Sequence, residues 1–190
     1  VGNGINGFKY KKNLTIDSKN SGTLGRLILG LLIKSPKKIK MVGDKSLSKR
    51  DFSRITVPLQ KFGVKFSFKT KNKLPLTILG TQSAEGIKYL ENKGSAQCKS
   101  SVMLAALNAS GTTSIKAKKS RNHTELLFKH LKIPIKIRKT KKFDFIDIKK
   151  PKKINAFNYQ IPGDISSSAF FIVLTTLADN SKLLIKNVNI

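Results

Sequence analysis

Apolar residues recur along the chain in two rhythms. Leu24, Leu27, Ile28, Leu31 and Leu32 fall on one helical face that starts just after Ser21. Phe52, Ile55, Leu59 and Phe62 make a second helical stripe with Gly63 as its natural stop. Pro58 lies inside that stripe and is expected to kink or shorten the helix. Val102, Leu104, Ala105, Ala106 and Leu107 predict a compact helix of small residues. Asn122, followed three positions later by Glu125, has the spacing of a capping box for the helix "TELLFKHL". Between the helices, short alternating or β-branched runs predict strands at 38–42, 64–68, 75–79, 113–117, 134–137, 143–148 and 182–188.

This order of elements repeats. Residues 20–46 align with 94–120, and a third start appears at 165–190. Each copy opens on small polar residues, runs into an apolar helix, turns and enters a Lys/Ile strand. Ser21, Ser95 and Ser167 mark the three starts, 74 and 72 residues apart. The stretch 58–68 likewise resembles 127–137. The repeating unit is therefore β-α-β-α-β-β, and the fold class is α+β (mixed alpha-beta). The second unit ends near residue 160, and "YQIPGD" (159–164) reads as a crossing into another body. Two domains are expected, at 1–160 and 161–190.

Composition adds bounds. Hydrophobic residues make up 39% of 190 positions, enough for a real core. No apolar run reaches the ~18 residues that a membrane helix needs, and no secretory leader pattern is visible. Cys98 is the one cysteine, so no internal disulfide forms, which fits a cytoplasmic protein. The chain opens on Val1 and closes on "KNVNI", so it is expected to be part of a longer sequence.

The net charge is +28, from 38 basic and 10 acidic residues. Only five of the basic residues are Arg; the lysines are spread along the chain among many Ile and Asn, as AT-rich coding produces. Their densest run, 136–153, carries no aromatic-studded nucleic-acid motif, so no nucleic-acid partner is expected. The arginines are more telling, because a planar bidentate donor suits phosphates and carboxylates. Arg26, Arg50 and Arg121 each sit beside small or polar loop residues, and Arg54 follows Arg50 by one helical turn. In both full copies, small residues lead into a helix N-terminus: Ser21, Gly22 and Thr23 in one, Ser95, Ala96 and Gln97 in the other. Unpaired N–H groups there, with the positive end of the helix dipole, suit an anion. The same residues serve ordinary helix capping equally well.

The stretches "NSGTLGRLILGLL", "GDKSLSKRDFSRITVPLQKFGV", "PLTILG", "KGSAQCKSSVMLAAL", "SRNHTE" and "PGDISSSAFFIVL" occur in the order and spacing of the 5-enolpyruvylshikimate-3-phosphate synthase family. The resemblance covers nearly the whole chain. It implies transfer of the enolpyruvyl group of phosphoenolpyruvate to the 5-hydroxyl of shikimate 3-phosphate, with release of phosphate. It implies Asn20, Gly22, Thr23, Arg50 and Gln97 on the phosphoenolpyruvate side. Ser95, Ala96, Gln97, Ser120 and Arg121 are implied on the shikimate 3-phosphate side, while Arg26 is expected to be mostly structural. Lys99 and Lys45 are expected to add field without contact, His123 to pack at a helix start, and Asp164 to cap a helix.

Neither metal nor cofactor is expected, and the complete protein is expected to be a cytoplasmic monomer with no membrane partner. The full fold it implies has two lobes, each of three such units about a pseudo-threefold axis. The family's Lys-Ser pair and an Arg precede the position of Val1, and its acidic pair for proton transfer follows that of Ile190. The catalytic acid and base are thus unassigned, and these 190 residues alone are expected to be inactive. A rival on the same fold, the enolpyruvyl transferase acting on UDP-N-acetylglucosamine, typically uses a loop cysteine as its acid. Cys98 sits instead at the S-A-Q helix start. A basic polyanion-binding protein is the alternative outside this fold.

Overall fold

A computed structural model describes residue 10 and residues 13–188. The chain divides into two units, Val1–Asn155 and Ala156–Ile190. In the first, β1 (Leu14–Asp17), α1 (Gly22–Leu31), β2 (Ile39–Val42), α2 (Ser53–Gln60), β3 (Lys65–Phe68) and β4 (Leu76–Leu79) form one β-α-β-α-β-β set. A second set follows: β5 (Lys88–Glu91), α3 (Ala96–Ala106), β6 (Thr112–Lys118), α4 (His123–His130), β7 (Ile135–Lys139) and β8 (Phe143–Lys149). The sheets have matching orders, β1-β2-β4-β3 and β5-β6-β8-β7. In each, the first two strands run parallel around a helical crossover and the other pairs are antiparallel. The repeat read from the sequence is therefore a repeat of topology.

Alternation along the strands decides which face is buried. Ile39, Met41, Leu76 and Ile78 point inward from the first sheet, as Ile115, Ala117, Ile146 and Ile148 do from the second. They share one core with Leu29, Phe52, Leu59, Val102, Met103 and Phe128 of the helices.

The leucine stripe is only part of the buried face of α1 and its C-cap: Leu32 lies in the core and Ile28 and Leu31 pack against it. Leu24 is exposed and Leu27, Ile28 and Leu31 are half-buried, whereas Gly22, Gly25, Leu29 and Gly30 are buried. The reason is the crossing with α3. A Cβ on Gly30 would stand 2.1 Å from the Ser101 carbonyl oxygen, so the two backbones touch where only glycine fits. The Ser101 hydroxyl also donates to the Arg26 carbonyl at 2.9 Å. Hydrophobic periodicity marks large side chains and is blind to a contact made by their absence.

Other expectations also shift. Helix α2 keeps Pro58 inside it and ends at Gln60, with Gly63 at φ +93° closing the turn. β1 and β5 are four-residue strands that lie outside the runs expected from the sequence. Conversely, 182–188 forms no strand; one bridge joins Gly163 to Val188, too little pairing for a ladder. The capping box at Asn122 is absent: its side chain makes no cap bond, because Glu125 is drawn into a buried ion pair with Lys99.

In the second unit, α5 (Ile165–Leu177) is capped by Asp164, whose carboxylate accepts from the Ser166 N–H at 2.9 Å. None of its residues is buried, although it is apolar on every side; Phe170 and Leu177 are 83% and 79% exposed. Such a helix belongs in a core. Among the described residues no helix is long and apolar enough to cross a membrane.

Gly30→Ala is expected to destabilise the protein by about 1–3 kcal/mol, because the clash is with backbone and cannot be relieved by a rotamer. Chemical denaturation of the full-length protein measures this; an unchanged midpoint contradicts the close crossing.

Candidate functional site

The α1–α3 crossing sets the N-terminal ends of two helices next to each other. At the first, Ser21 caps α1, its Oγ accepting the Leu24 N–H at 3.1 Å. At the second, Ser95 caps α3, its Oγ accepting the Cys98 N–H at 3.3 Å. Neither helix carries an acidic residue in its first turn, so nothing within the helix neutralises either positive end.

Side chains bridge the two ends. Arg26 donates through Nη1 to Gln97 Oε1 at 2.6 Å, and Gln97 Nε2 donates to Thr23 Oγ1 at 2.9 Å. Gly22 lies beneath two guanidinium groups: a Cβ there would stand 3.1 Å from Nη1 of both Arg26 and Arg50. Arg50 arrives from the end of a short 3-10 turn, Leu47–Lys49. That turn is held by Asp44, which accepts from the Leu47 N–H at 2.7 Å and from Asn20 Nδ2 at 2.5 Å. The Leu47 N–H is the main reason that the Asp44 carboxyl titrates below the usual aspartate range, with Asn20 and the nearby Arg50 charge adding to it.

The loop before α3 is braced from below. Glu91, 3% exposed, accepts the Ser95 N–H at 3.0 Å, the Lys93 N–H at 3.2 Å and Arg54 at 3.4 Å. Arg54 is thus a support for that loop, not a neighbour of Arg50 in an anion site. From the other side the β6–α4 loop closes in. Ser100 and Thr124 share a hydroxyl bond of 2.7 Å, and Lys99 Nζ donates to the Arg121 carbonyl at 3.0 Å. Lys99 is fully buried and paired with Glu125, which offsets its charge. Ser120 Oγ is buried with no hydrogen-bond partner among the described residues. Cys98 is buried beneath the α3 cap.

A cavity of about 190 Å³ opens between these parts, lined by Thr23, Leu27, Ala96, Gln97, Ser100, Arg121, His123 and Thr124. The structure therefore gathers Thr23, Ala96, Gln97 and Arg121 around one space, with Gly22 and Arg50 at the α1 end. Asn20 is tied to Asp44, and Ser95 and Ser120 sit at the loop ends. His123 lines the cavity as well as opening α4. Arg26, expected to be mostly structural, bonds Gln97 and so ties the two helix ends together. Its signal was present, as one of five arginines, on the helix turn that follows Gly22.

An EPSP synthase family model (3-phosphoshikimate 1-carboxyvinyltransferase) matches residues 1–190. The chain belongs to the EPSP synthase family. It is 40% identical over 178 residues to 3-phosphoshikimate 1-carboxyvinyltransferases of Streptococcus pyogenes serotypes M49 and M28, covering 93% of this chain and 41% of theirs. It superposes on a solved EPSP synthase from Acinetobacter baumannii with a TM-score of 0.79 and 32% identity, covering 98% of this chain and 41% of that one. The chain thus spans about two fifths of these relatives' length. As an EPSP synthase family member it carries the expected βαβαββ units, and the groups brought together here are of the kind that bind anions.

Because its pKa is lowered in the fold, Asp44 contributes its bracing above the ordinary aspartate value and loses it only as pH falls through the lowered one. The side-chain amide resonances of Asn20 are expected to hold their bonded positions down to about pH 4 and to move only below it. Movement at higher pH contradicts the brace.

Proposed function

We propose that this chain is the phosphate-gripping portion of a 3-phosphoshikimate 1-carboxyvinyltransferase. The complete enzyme moves the enolpyruvyl group of phosphoenolpyruvate to the 5-hydroxyl of shikimate 3-phosphate. One observation carries the reading: two helix N-termini, bridged through Arg26, Gln97 and Thr23, flank a cavity that Arg121 also lines. Two anionic substrates must be held side by side for this reaction, and the bridge between the ends is where they would meet.

The α1 end takes phosphoenolpyruvate. Gly22 lets its phosphate approach the backbone, Thr23 offers a hydroxyl, and Arg50 a guanidinium, while Asn20 holds the loop through Asp44. The α3 end takes shikimate 3-phosphate, with Ser95 and Ala96 at the cap and with Arg121 and the uncommitted Ser120 hydroxyl at the 3-phosphate. Gln97 faces both, since an amide donates and accepts at once.

In the reaction the 5-hydroxyl gives up its proton to a base, its oxygen bonds to C2 of phosphoenolpyruvate and C3 gains a proton from an acid, giving a tetrahedral ketal. Loss of phosphate and of one C3 proton then restores the double bond. Within this chain Asp44 and Glu125 are committed to structural partners, so neither is assigned to those proton transfers. The units through residue 160 form most of one lobe, and residues 161–190 open a second, where the apolar α5 finds its core. The complete protein acts as a soluble monomer in the cytoplasm.

The test is phosphate release by the full-length protein given both substrates. Arg50→Ala is expected to raise KM for phosphoenolpyruvate by about 10- to 100-fold, with shikimate 3-phosphate little affected; Arg121→Ala reverses the pattern. A full-length protein with no turnover of shikimate 3-phosphate overturns the reading.

A further inference from the structure

Lys99 is an anomaly. It is fully buried, it stands in the first turn of α3, and the positive end of the helix dipole disfavours a cation there. A lysine ammonium removed from water is tolerated only with partners that satisfy its charge and donors. Lys99 Nζ has two, both beyond its own helix: Glu125 Oε1 at 2.5 Å and the Arg121 carbonyl at 3.0 Å. Glu125 is itself 4% exposed, and its other oxygen has no hydrogen-bond partner among the described residues. The pair is thus not an extended charge network. It is one buried link from the Ser95–Gln97 helix to the loop that carries Ser120 and Arg121.

We propose that Lys99 and Glu125 are positioning residues. They fix the Arg121 peptide against α3 and so set the Arg121 guanidinium and the Ser120 hydroxyl at the correct reach for the phosphate of the acceptor substrate. The link runs through the Arg121 main-chain oxygen and so does not occupy the guanidinium donors. Glu125 also anchors the start of α4, which explains why it does not close a capping box with Asn122. The role is specific to one substrate. The turn that leads to Arg50 at the α1 end is held by Asp44 instead.

This rests on the transferase reading above, and the experiment separates the two. In the full-length protein, Lys99→Met with Glu125→Leu removes both charges together and leaves no buried ion unpaired. It is expected to melt cooperatively while KM for shikimate 3-phosphate rises about tenfold and KM for phosphoenolpyruvate stays within about twofold. Calorimetric titration with shikimate 3-phosphate alone is expected to show the same loss. If the apolar pair does not fold, Lys99→Gln with Glu125→Gln supplies a neutral pair too short to reach the Arg121 carbonyl, judged by the same split. Unchanged constants overturn the proposal, and so does an equal rise in both KM values, which marks a general structural effect. A wild-type protein without shikimate 3-phosphate turnover instead removes the transferase reading itself.

Discussion

The crossing of α1 and α3 at Gly30 is the contact on which the rest depends. With no side chain at Gly30, the Ser101 carbonyl reaches the α1 backbone, and the Ser101 hydroxyl reaches back to the Arg26 carbonyl. That approach brings the first turns of two equivalent helices, one from each βαβαββ set, near enough for single side chains to span them. The Arg26–Gln97–Thr23 bridge exists because the backbones meet a few residues further along. A larger residue at Gly30 would push the two helix ends apart and divide one site into two weak ones.

Around this crossing the acidic residues serve as braces. The chain has 10 of them against 38 basic residues, and Asp44, Glu91 and Glu125 near the site are each bonded to N–H groups or cations. Asp44 holds the Asn20 loop and the turn leading to Arg50. Glu91 holds the loop before Ser95 and takes up Arg54. Glu125 takes up Lys99. Their carboxylates accept from loop N–H groups, from Arg54 and from the buried Lys99, which offsets part of their charge. What faces the cavity and the adjoining α1 end is Arg26, Arg50, Arg121 and two helix N-termini. A strongly positive chain adds steering over distance, and the site itself adds directed donors.

The sequence displayed the repeat, the fold class and most elements, because those follow from periodicity and from small residues ahead of apolar helices. It also displayed the anion-binding residue types. Other features were illegible for physical reasons. β1 and β5, at four residues each, are too short for alternation to stand out. Much of the buried face of α1 is written in glycines, which carry no hydrophobic signal, while the leucine stripe marks only the part at Ile28, Leu31 and Leu32. Arg54 and Arg50 are neighbours along the chain yet serve different loops, and Lys99 looks like any other lysine among so many. In each case the deciding partner lies far off in sequence: Glu91 for Arg54, Glu125 for Lys99, Gln97 for Arg26.

The two helix ends are proposed to form one continuous site. The most direct measurement is a crystal structure of the full-length protein with both substrates, or with shikimate 3-phosphate and a non-reactive phosphoenolpyruvate analogue. The shikimate phosphate is expected on Ser120 and Arg121, the second anion over Gly22 and Arg50, and Gln97 between the two. Anions bound on another face, or at one helix end with the other facing empty solvent, contradict it.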